Sequence, residues 1–174
     1  MNTLIQAGNY VRERQDSGQN AAQLLAREIN NYIRWSYRDA KLDSEDYIPL
    51  IVVNFALKDE DLEATNARTQ DRVRTIGEQY LQLWNKAEPK FESPPPTIFH
   101  IFIARTVMGF GSYDISVEEP EFRNIFFTDW KQRGHDIWNA MAIALLVAQT
   151  RTWLAKVDPK NPDAEKAPES DEDL

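Results

Sequence analysis

The chain has no cysteine among its 174 residues. This absence excludes disulfides, zinc–thiolate sites and thiol nucleophiles, and it favours an intracellular protein of the cytoplasm. Long hydrophobic runs are lacking too, since the longest, Ala140–Ala148, is far shorter than the roughly 20 residues of a membrane-spanning helix. The polar stretch Met1–Arg14 has no apolar core of signal-peptide length. We therefore predict a folded cytoplasmic protein without a membrane partner.

Histidine is scarce, with His100 and His135 alone. The sequence has no Glu-x-x-His pair, Gly-x-Ser-x-Gly elbow or Gly-x-x-x-x-Gly-Lys loop, which are the motifs of di-metal bundles, serine hydrolases and phosphate-binding loops. His100 lies between Phe99 and Ile101, a setting typical of a packed core histidine with one hydrogen bond. We predict no catalytic set, no metal site and no cofactor.

Acidic residues outnumber basic ones, 28 to 20, which gives a net charge of −8. Residues 158–174 hold seven of the acids and two lysines, so they carry −5 and the first 157 residues carry −3. Three prolines and no aromatic residue make this segment typical of a disordered acidic tail. We predict one domain over residues 1–157 and a disordered tail over 158–174. The near-neutral body can carry a local basic surface.

The helical period dominates the body and predicts an all-α bundle of about five to seven helices. The predicted helices are Thr3–Gln15, Gln19–Lys41, Tyr47–Leu57 with Pro49 in its first turn, Asp59–Glu88 and Thr128–Val157. The last of them is apolar almost all round, which predicts a mostly buried helix at the centre of the bundle.

Three segments are harder to assign. A buried strand is the alternative for Tyr47–Leu57, and Ile98–Met108 fits either a helix or a strand. Residues 109–120 predict a long surface loop in which Gly109-Phe-Gly111 forms a turn in preference to a phosphate cradle, with a short extended piece at residues 114–117. Glu121–Phe127 is predicted to add a helical turn.

The clearest sign of function is one face of the second predicted helix, here called the basic face. At about 100° per residue its side chains fall within an arc of roughly 100°; they are Asn20, Gln23, Arg27, Asn30, Asn31, Arg34, Arg38 and Lys41. Eight average positions of this chain would hold about 0.9 Lys or Arg and about 1.3 Asp or Glu, whereas this face holds four and none. The opposite side is an apolar stripe that must pack on something, made of Ala21, Ala22, Leu25, Ile29, Tyr32 and Ile33.

Arginine and amide side chains suit a sugar-phosphate backbone, because a planar guanidinium binds phosphate and an amide does not repel it. The basic face spans about 32 Å at 1.5 Å per residue, enough to follow several nucleotides. Trp35 and Tyr37 flank it and would support base stacking, although core packing is the commoner fate of such residues. A second strip would widen the track if the two helices lay side by side; it consists of Arg68, Arg72, Gln79 and Lys86.

We predict a non-catalytic helical subunit of a larger assembly that contacts an RNA or DNA backbone without reading sequence. Its predicted contacts are Arg27, Arg34, Arg38, Lys41, Asn30, Asn31 and Gln23, with Arg68 and Arg72 as weaker contacts. The small subunits of CRISPR effector complexes, which are ribonucleoproteins, have this general size and helical architecture, an analogy of architecture without a shared motif. The alternative is a solvated face whose arginines pair with carboxylates of neighbouring helices.

Two other functions stay open. A protein-interaction or adaptor module would set the basic face against an acidic protein surface or the chain's own tail. It would also use a group of aromatic residues as a protein contact, namely Phe110, Tyr113, Phe122, Phe126 and Phe127. An enzyme would need a site built from scattered groups, with Asp46, Asp114 or His135 near a cleft.

Overall fold

The computed structural model describes residues 2–16, 20–42, 48–86 and 94–157. They form four helices and four strands, in the order α1 (Asn2–Asp16), α2 (Ala21–Asp39), β1 (Ile51–Phe55), α3 (Leu62–Lys86), β2 (Thr97–Ala104), β3 (Val107–Asp114), β4 (Phe122–Asp129) and α4 (Asp136–Val157). The prediction of an all-α bundle is therefore wrong, and the protein has a mixed α/β fold. The predicted acidic tail lies outside the described residues.

The four strands form one mixed sheet in the order β1-β2-β3-β4. β1 and β2 are parallel, and the chain between them contains α3, as a parallel crossover requires. β2 and β3 are antiparallel and joined by a two-residue turn, whose first residue, Arg105, has a positive φ of 55°. β4 pairs antiparallel with β3 at the edge of the sheet, with a register shift between Phe110 and Gly111.

The sheet lies between α3 and the other helices, except where Trp84 near the end of α3 stacks on Trp153 of α4 with ring centroids 5.6 Å apart. On one face, Asn54 of β1 donates a hydrogen bond to the Thr69 hydroxyl of α3 at 3.2 Å, and Tyr113 of β3 lies against Gly77 of α3. The opposite face of β1 meets α2, and α1, α2 and α4 pack against one another there. The arrangement is a helix layer, a sheet and a single long helix on the far side.

The sequence pattern predicts helices or loops where the structure has strands. Strands β1 and β2 are mostly buried along their length, so the alternation of polar and apolar residues that marks a strand is missing from them. Tyr47–Leu57 is predicted as a helix, yet Ile51–Phe55 is a strand; residues 43–47 lie outside the described part. The ambiguous segment Ile98–Met108 spans two strands and the turn between them. A strand buried on both faces reads as a continuous apolar run, which periodicity cannot distinguish from a buried helix.

The predicted helical turn Glu121–Phe127 is wrong, because Phe122–Asp129 is strand β4. The predicted surface loop over residues 109–120 is confirmed for residues 115–120 and wrong for residues 109–114, which belong to β3. Gly109 and Gly111 lie within β3, opposite Phe102 and His100 of β2. A Cβ on Gly109 would come within 2.2 Å of the Phe102 ring, and one on Gly111 within 2.3 Å of the His100 ring. The two glycines therefore let both rings lie across the strand, so glycine here marks close packing and not a turn.

The last helix begins at Asp136, and its predicted start near Thr128 is wrong because β4 continues to Asp129. An ion pair fixes this start: Arg12 of α1 donates to both carboxylate oxygens of Asp136, at 3.1 and 2.9 Å, and to the Trp130 carbonyl at 3.0 Å. Gly8 lets the carboxylate approach α1, since a Cβ there would lie 1.8 Å from the Asp136 Oδ1.

Candidate nucleic-acid interface

The basic face lies along the outer side of α2. Seven of its eight residues are exposed and Asn30 is half-buried. The apolar stripe packs inward, with Ala21, Ala22, Leu25, Ile29 and Ile33 all buried and Tyr32 half-buried. The amphipathic pattern of α2 thus places the cations in water, where a large anion can reach them.

Both ends of α2 are fixed by members of the basic face. Asn20 caps the first turn, since its side-chain oxygen accepts a hydrogen bond from the Gln23 amide at 3.0 Å. Lys41 ends the helix in a left-handed conformation, with φ 57°. Its amide bonds to the Arg38 carbonyl and the Leu42 amide to the Tyr37 carbonyl, both at 3.0 Å, which is a Schellman motif. Buried Leu42 completes this end of the helix.

The cations differ in how they are held. Arg27 pairs with Glu28 at 3.1 Å, and Glu28 is the single carboxylate within the described residues that pairs with the basic face. Arg34 donates to the Asn31 side chain at 2.7 Å, which orients its guanidinium without neutralising it. Arg38 and Lys41 make no ion pair with any described residue. Most of the positive charge of the face is therefore uncompensated locally.

A groove extends the basic face toward the edge of the sheet. It has a volume of about 530 Å³ and is lined by Arg14, Asn20, Gln23, Leu24, Ala26, Arg27, Asn30, Val53 and Phe55. Arg14 comes from the last turn of α1 and adds a fifth cation beside Arg27. This contribution is not predictable from the sequence, because nothing there reveals that the end of α1 and the edge strand β1 line the same groove.

The two aromatic residues that flank the basic face differ in burial. Tyr37 is buried, and its hydroxyl bonds to the Thr150 hydroxyl of α4 at 3.1 Å. Trp35 is 55% exposed and stacks on Tyr32, with ring centroids 5.6 Å apart. An exposed indole beside arginines is suited to stacking with a nucleobase.

The second strip does not widen the track, because α3 lies on the other face of the sheet from α2. Arg68 donates to both oxygens of Glu60, at 2.9 and 2.8 Å, and to the Phe55 carbonyl at 2.8 Å. These bonds from Arg68, together with one from the Leu57 amide, lower the pKa of Glu60 to about 2. Arg72 reaches the Asn54 side chain at 3.3 Å, and Gln79 and Lys86 are exposed on that far side. The condition for a wider track, that the two basic helices lie side by side, is therefore not met.

A larger cleft, of about 1020 Å³, opens where β1 and β2 end. Three of its four acidic residues already serve local structure. Asp61 accepts a hydrogen bond from the Ala64 amide at the start of α3, at 2.8 Å, and Asp129 accepts one from the Lys131 amide at 2.9 Å. Glu60 is held by Arg68 as described above. Nowhere in the described residues do three or more His, Cys, Asp or Glu gather as metal ligands would.

The remaining candidate groups do not converge. His100 is fully buried, stacked on Phe102 and edge-on to Phe122, and burial lowers its pKa to about 4. Neither of its ring nitrogens has a hydrogen-bond partner within the described residues, so the predicted single bond is absent. His135 is exposed before α4, and Asp114 accepts hydrogen bonds from Ser116 that lower its pKa. Asp46 lies outside the described residues.

The five aromatic residues proposed as a protein contact are strand residues and mostly pack on each other. Phe110 stacks on Phe126 with centroids 4.2 Å apart, and Tyr113 stacks on Phe122 at 4.3 Å. Phe127 touches Phe102 edge-on but stays 53% exposed.

Comparison of the chain with family models, with curated proteins and with solved structures gives no match. Each helix in the described part of the chain is too short or too polar to cross a membrane.

Proposed function

We propose that this protein is a non-catalytic binding module that contacts a nucleic-acid backbone through the basic face of α2. The observation that carries this proposal is the exposure of four cations on one helix with a single paired carboxylate, Glu28. Arg14, at the groove beside β1, extends the same positive surface. The analogy with helical CRISPR subunits depended on an all-α fold and is not part of the proposal.

Binding would work by neutralising phosphates and not by reading bases. Arg27, Arg34 and Arg38 follow one another along α2 at intervals of seven and four residues, about 10 and 6 Å along the axis, so they would contact nearby but not all consecutive phosphates of an extended strand. Four phosphate contacts imply that affinity falls with roughly the third to fourth power of salt concentration. This gives a loss of about 100-fold between about 50 and 200 mM salt.

Trp35 favours a single strand as the ligand. A base can stack on the exposed indole only when it is not held inside a duplex. Replacing Trp35 with alanine is expected to weaken binding of single strands several-fold and to leave duplex binding unchanged.

The test is a charge reversal with a matched control. The variant R27E/R34E/R38E changes the net charge by −6, and so does R123E/R133E/K86E, whose three residues are exposed outside the basic face. Binding of labelled 20-nucleotide DNA and RNA is measured by fluorescence anisotropy at two salt concentrations. We expect at least a 30-fold loss for the first variant and less than about threefold for the second, with a shallower salt dependence for the first. Equal losses for the two folded variants would show that net charge alone matters.

The assembly and its location are part of the proposal. We propose that the module works as a subunit beside other proteins. We place it in the cytoplasm, a location that the cysteine-free sequence favours. Protein purified at low salt should carry nucleic acid, seen as a raised ratio of absorbance at 260 and 280 nm. Recovery of a protein partner without nucleic acid would favour the adaptor function instead.

A further inference from the structure

Helix α4 exposes a surface of the kind that proteins normally cover. Trp138 is 69% exposed, Leu145 67% and Ile137 55%, and Met141 and Ala148 lie on the same side. We call these five residues the apolar face. From residue 137 to residue 150 the helix has no charged side chain. Contiguous exposed apolar surface of this kind marks an interaction site.

We propose that the apolar face binds a second copy of this chain, with the two α4 helices antiparallel across a two-fold axis. In such a dimer the same surface meets itself, so every contact occurs twice. A surface without charge meets its own copy without electrostatic repulsion, whereas a charged one would not.

The sizes of the side chains fit the same arrangement. Three of the four large residues, Ile137, Trp138 and Met141, lie in the first half of the face and Ala148 ends the second half, so antiparallel pairing sets Trp138 opposite Ala148. In that register Met141 lies opposite Leu145, near the axis. Large residues opposite small ones allow two helices to interdigitate.

The area indicates how strong the dimer is. The four large side chains offer on the order of 100 Å² each and Ala148 less, which gives roughly 450 Å² per copy and roughly 900 Å² for two. Specific stable interfaces bury about 1,200–2,000 Å², so this contact lies below them, in the range of weak complexes. We expect a dissociation constant in the micromolar range.

A lipid surface is the main competing occupant. Helices that lie on membranes carry lysine and arginine along their polar side, and α4 has none between Asp136 and Arg151. Binding to vesicles of anionic phospholipid, with a monomer persisting in solution, would overturn the proposal in favour of that occupant.

The test compares two exposed leucines. Leu145→Glu places a charge in the apolar face, and Leu83→Glu makes the same change at a residue of α3 that is 50% exposed. Sedimentation velocity from about 1 to 500 µM measures association, and circular dichroism confirms folding. We expect the wild type and L83E to dimerise with similar constants and L145E to dimerise at least tenfold more weakly. A wild type that is monomeric at about 500 µM, or equal effects of the two variants, contradicts the proposal.

The absence of cysteine allows a direct test of the register. Ile137 and Gln149 lie opposite each other between copies, but they are about 18 Å apart along one helix. A thiol cross-linker about 8 to 10 Å long should therefore join two copies of I137C/Q149C and neither single-cysteine variant. Cross-linking of the single variants would indicate a parallel dimer and contradict the antiparallel one.

Discussion

Helices α2 and α4 lie in the same layer and touch each other, yet they present opposite surfaces to water. They are joined by the hydrogen bond from Tyr37 to Thr150 and by the ion pair of Asp39 with Arg151, at 3.6 Å. α2 buries its apolar stripe and exposes the basic face. α4 buries one apolar side, which includes Ile143 and Val147, and exposes another.

The difference shows which kind of exposed surface is evidence for a binding partner. A charged face is stable in water by itself, so the basic face is compatible with binding and does not require it. An exposed apolar face is unfavourable in water, so the surface of α4 calls for something to cover it. The evidence that a partner exists is therefore stronger for α4. The evidence for what kind of partner binds is more specific for α2.

The largest expected effect comes from making the same substitution, leucine to alanine, once in each of the two helices. Leu25 on α2 is fully buried, and Leu145 on α4 is 67% exposed. Leu25→Ala should lower the free energy of unfolding by about 2–5 kcal/mol, because it leaves a cavity, while Leu145→Ala should change it by less than about 0.5 kcal/mol. Urea denaturation at about 0.1 µM protein, below the expected micromolar dissociation constant, measures both. Similar losses would mean that α4 is packed more tightly than its exposure indicates.

Lowering the pH should reduce the free energy of unfolding through a residue of the sheet. It should not change the difference in stability between the variants of α2 and α4. Neither α2 nor α4 contains a histidine, whereas His100 in β2 has its pKa lowered to about 4. Its unfolded form binds a proton below about pH 6.5, so stability falls as the pH is lowered from 6.5 to 4. The loss approaches about 3 kcal/mol at the lower end.

The measurement is the free energy of unfolding between pH 4 and 7.5 for the wild type and for His100→Leu. Since carboxylates also titrate in this range, the difference between the two proteins isolates the histidine. That difference should change by about 3 kcal/mol over the range. The gap between L25A and L145A should stay constant. A difference independent of pH would mean that the pKa of His100 is the same in the folded and the unfolded protein.

The sequence predicted helices well where one face is polar and failed where burial is complete. α1, α2 and α3 begin and end within a few residues of their predicted bounds, because each has an amphipathic pattern. β1 and β2 carry apolar residues toward helices on both sides of the sheet, so their alternation is lost. For Gly109 and Gly111, the spacing of the glycines is visible in the sequence, but the rings that require it come from another strand.

The candidate site was predictable only within one helix. The exposure of the basic face follows from the periodicity of α2 alone. The position of α3 relative to α2 depends on the sheet between them, and Arg68 depends on Glu60 in the loop after β1. The uniform apolar character of α4 predicted burial, because a sequence cannot show which side of such a helix lacks a neighbour.

The smallest expected effect concerns the start of α2, where the Asn20 side chain caps the helix. The start of α4 is instead held by the ion pair of Asp136 with Arg12 of α1. Asn20→Ala removes the cap and should lower the free energy of unfolding by about 1 kcal/mol, while Asn20→Asp keeps an acceptor for the Gln23 amide and should be close to neutral. Chemical denaturation measures this pair, and fluorescence anisotropy measures their nucleic-acid binding. Because aspartate adds a negative charge at the groove, N20D should bind more weakly than N20A despite its greater stability. If N20D instead bound as tightly as the wild type, the groove end of the basic face would lie outside the contact, and the ligand would be confined to the half of α2 that carries Arg34, Arg38 and Lys41.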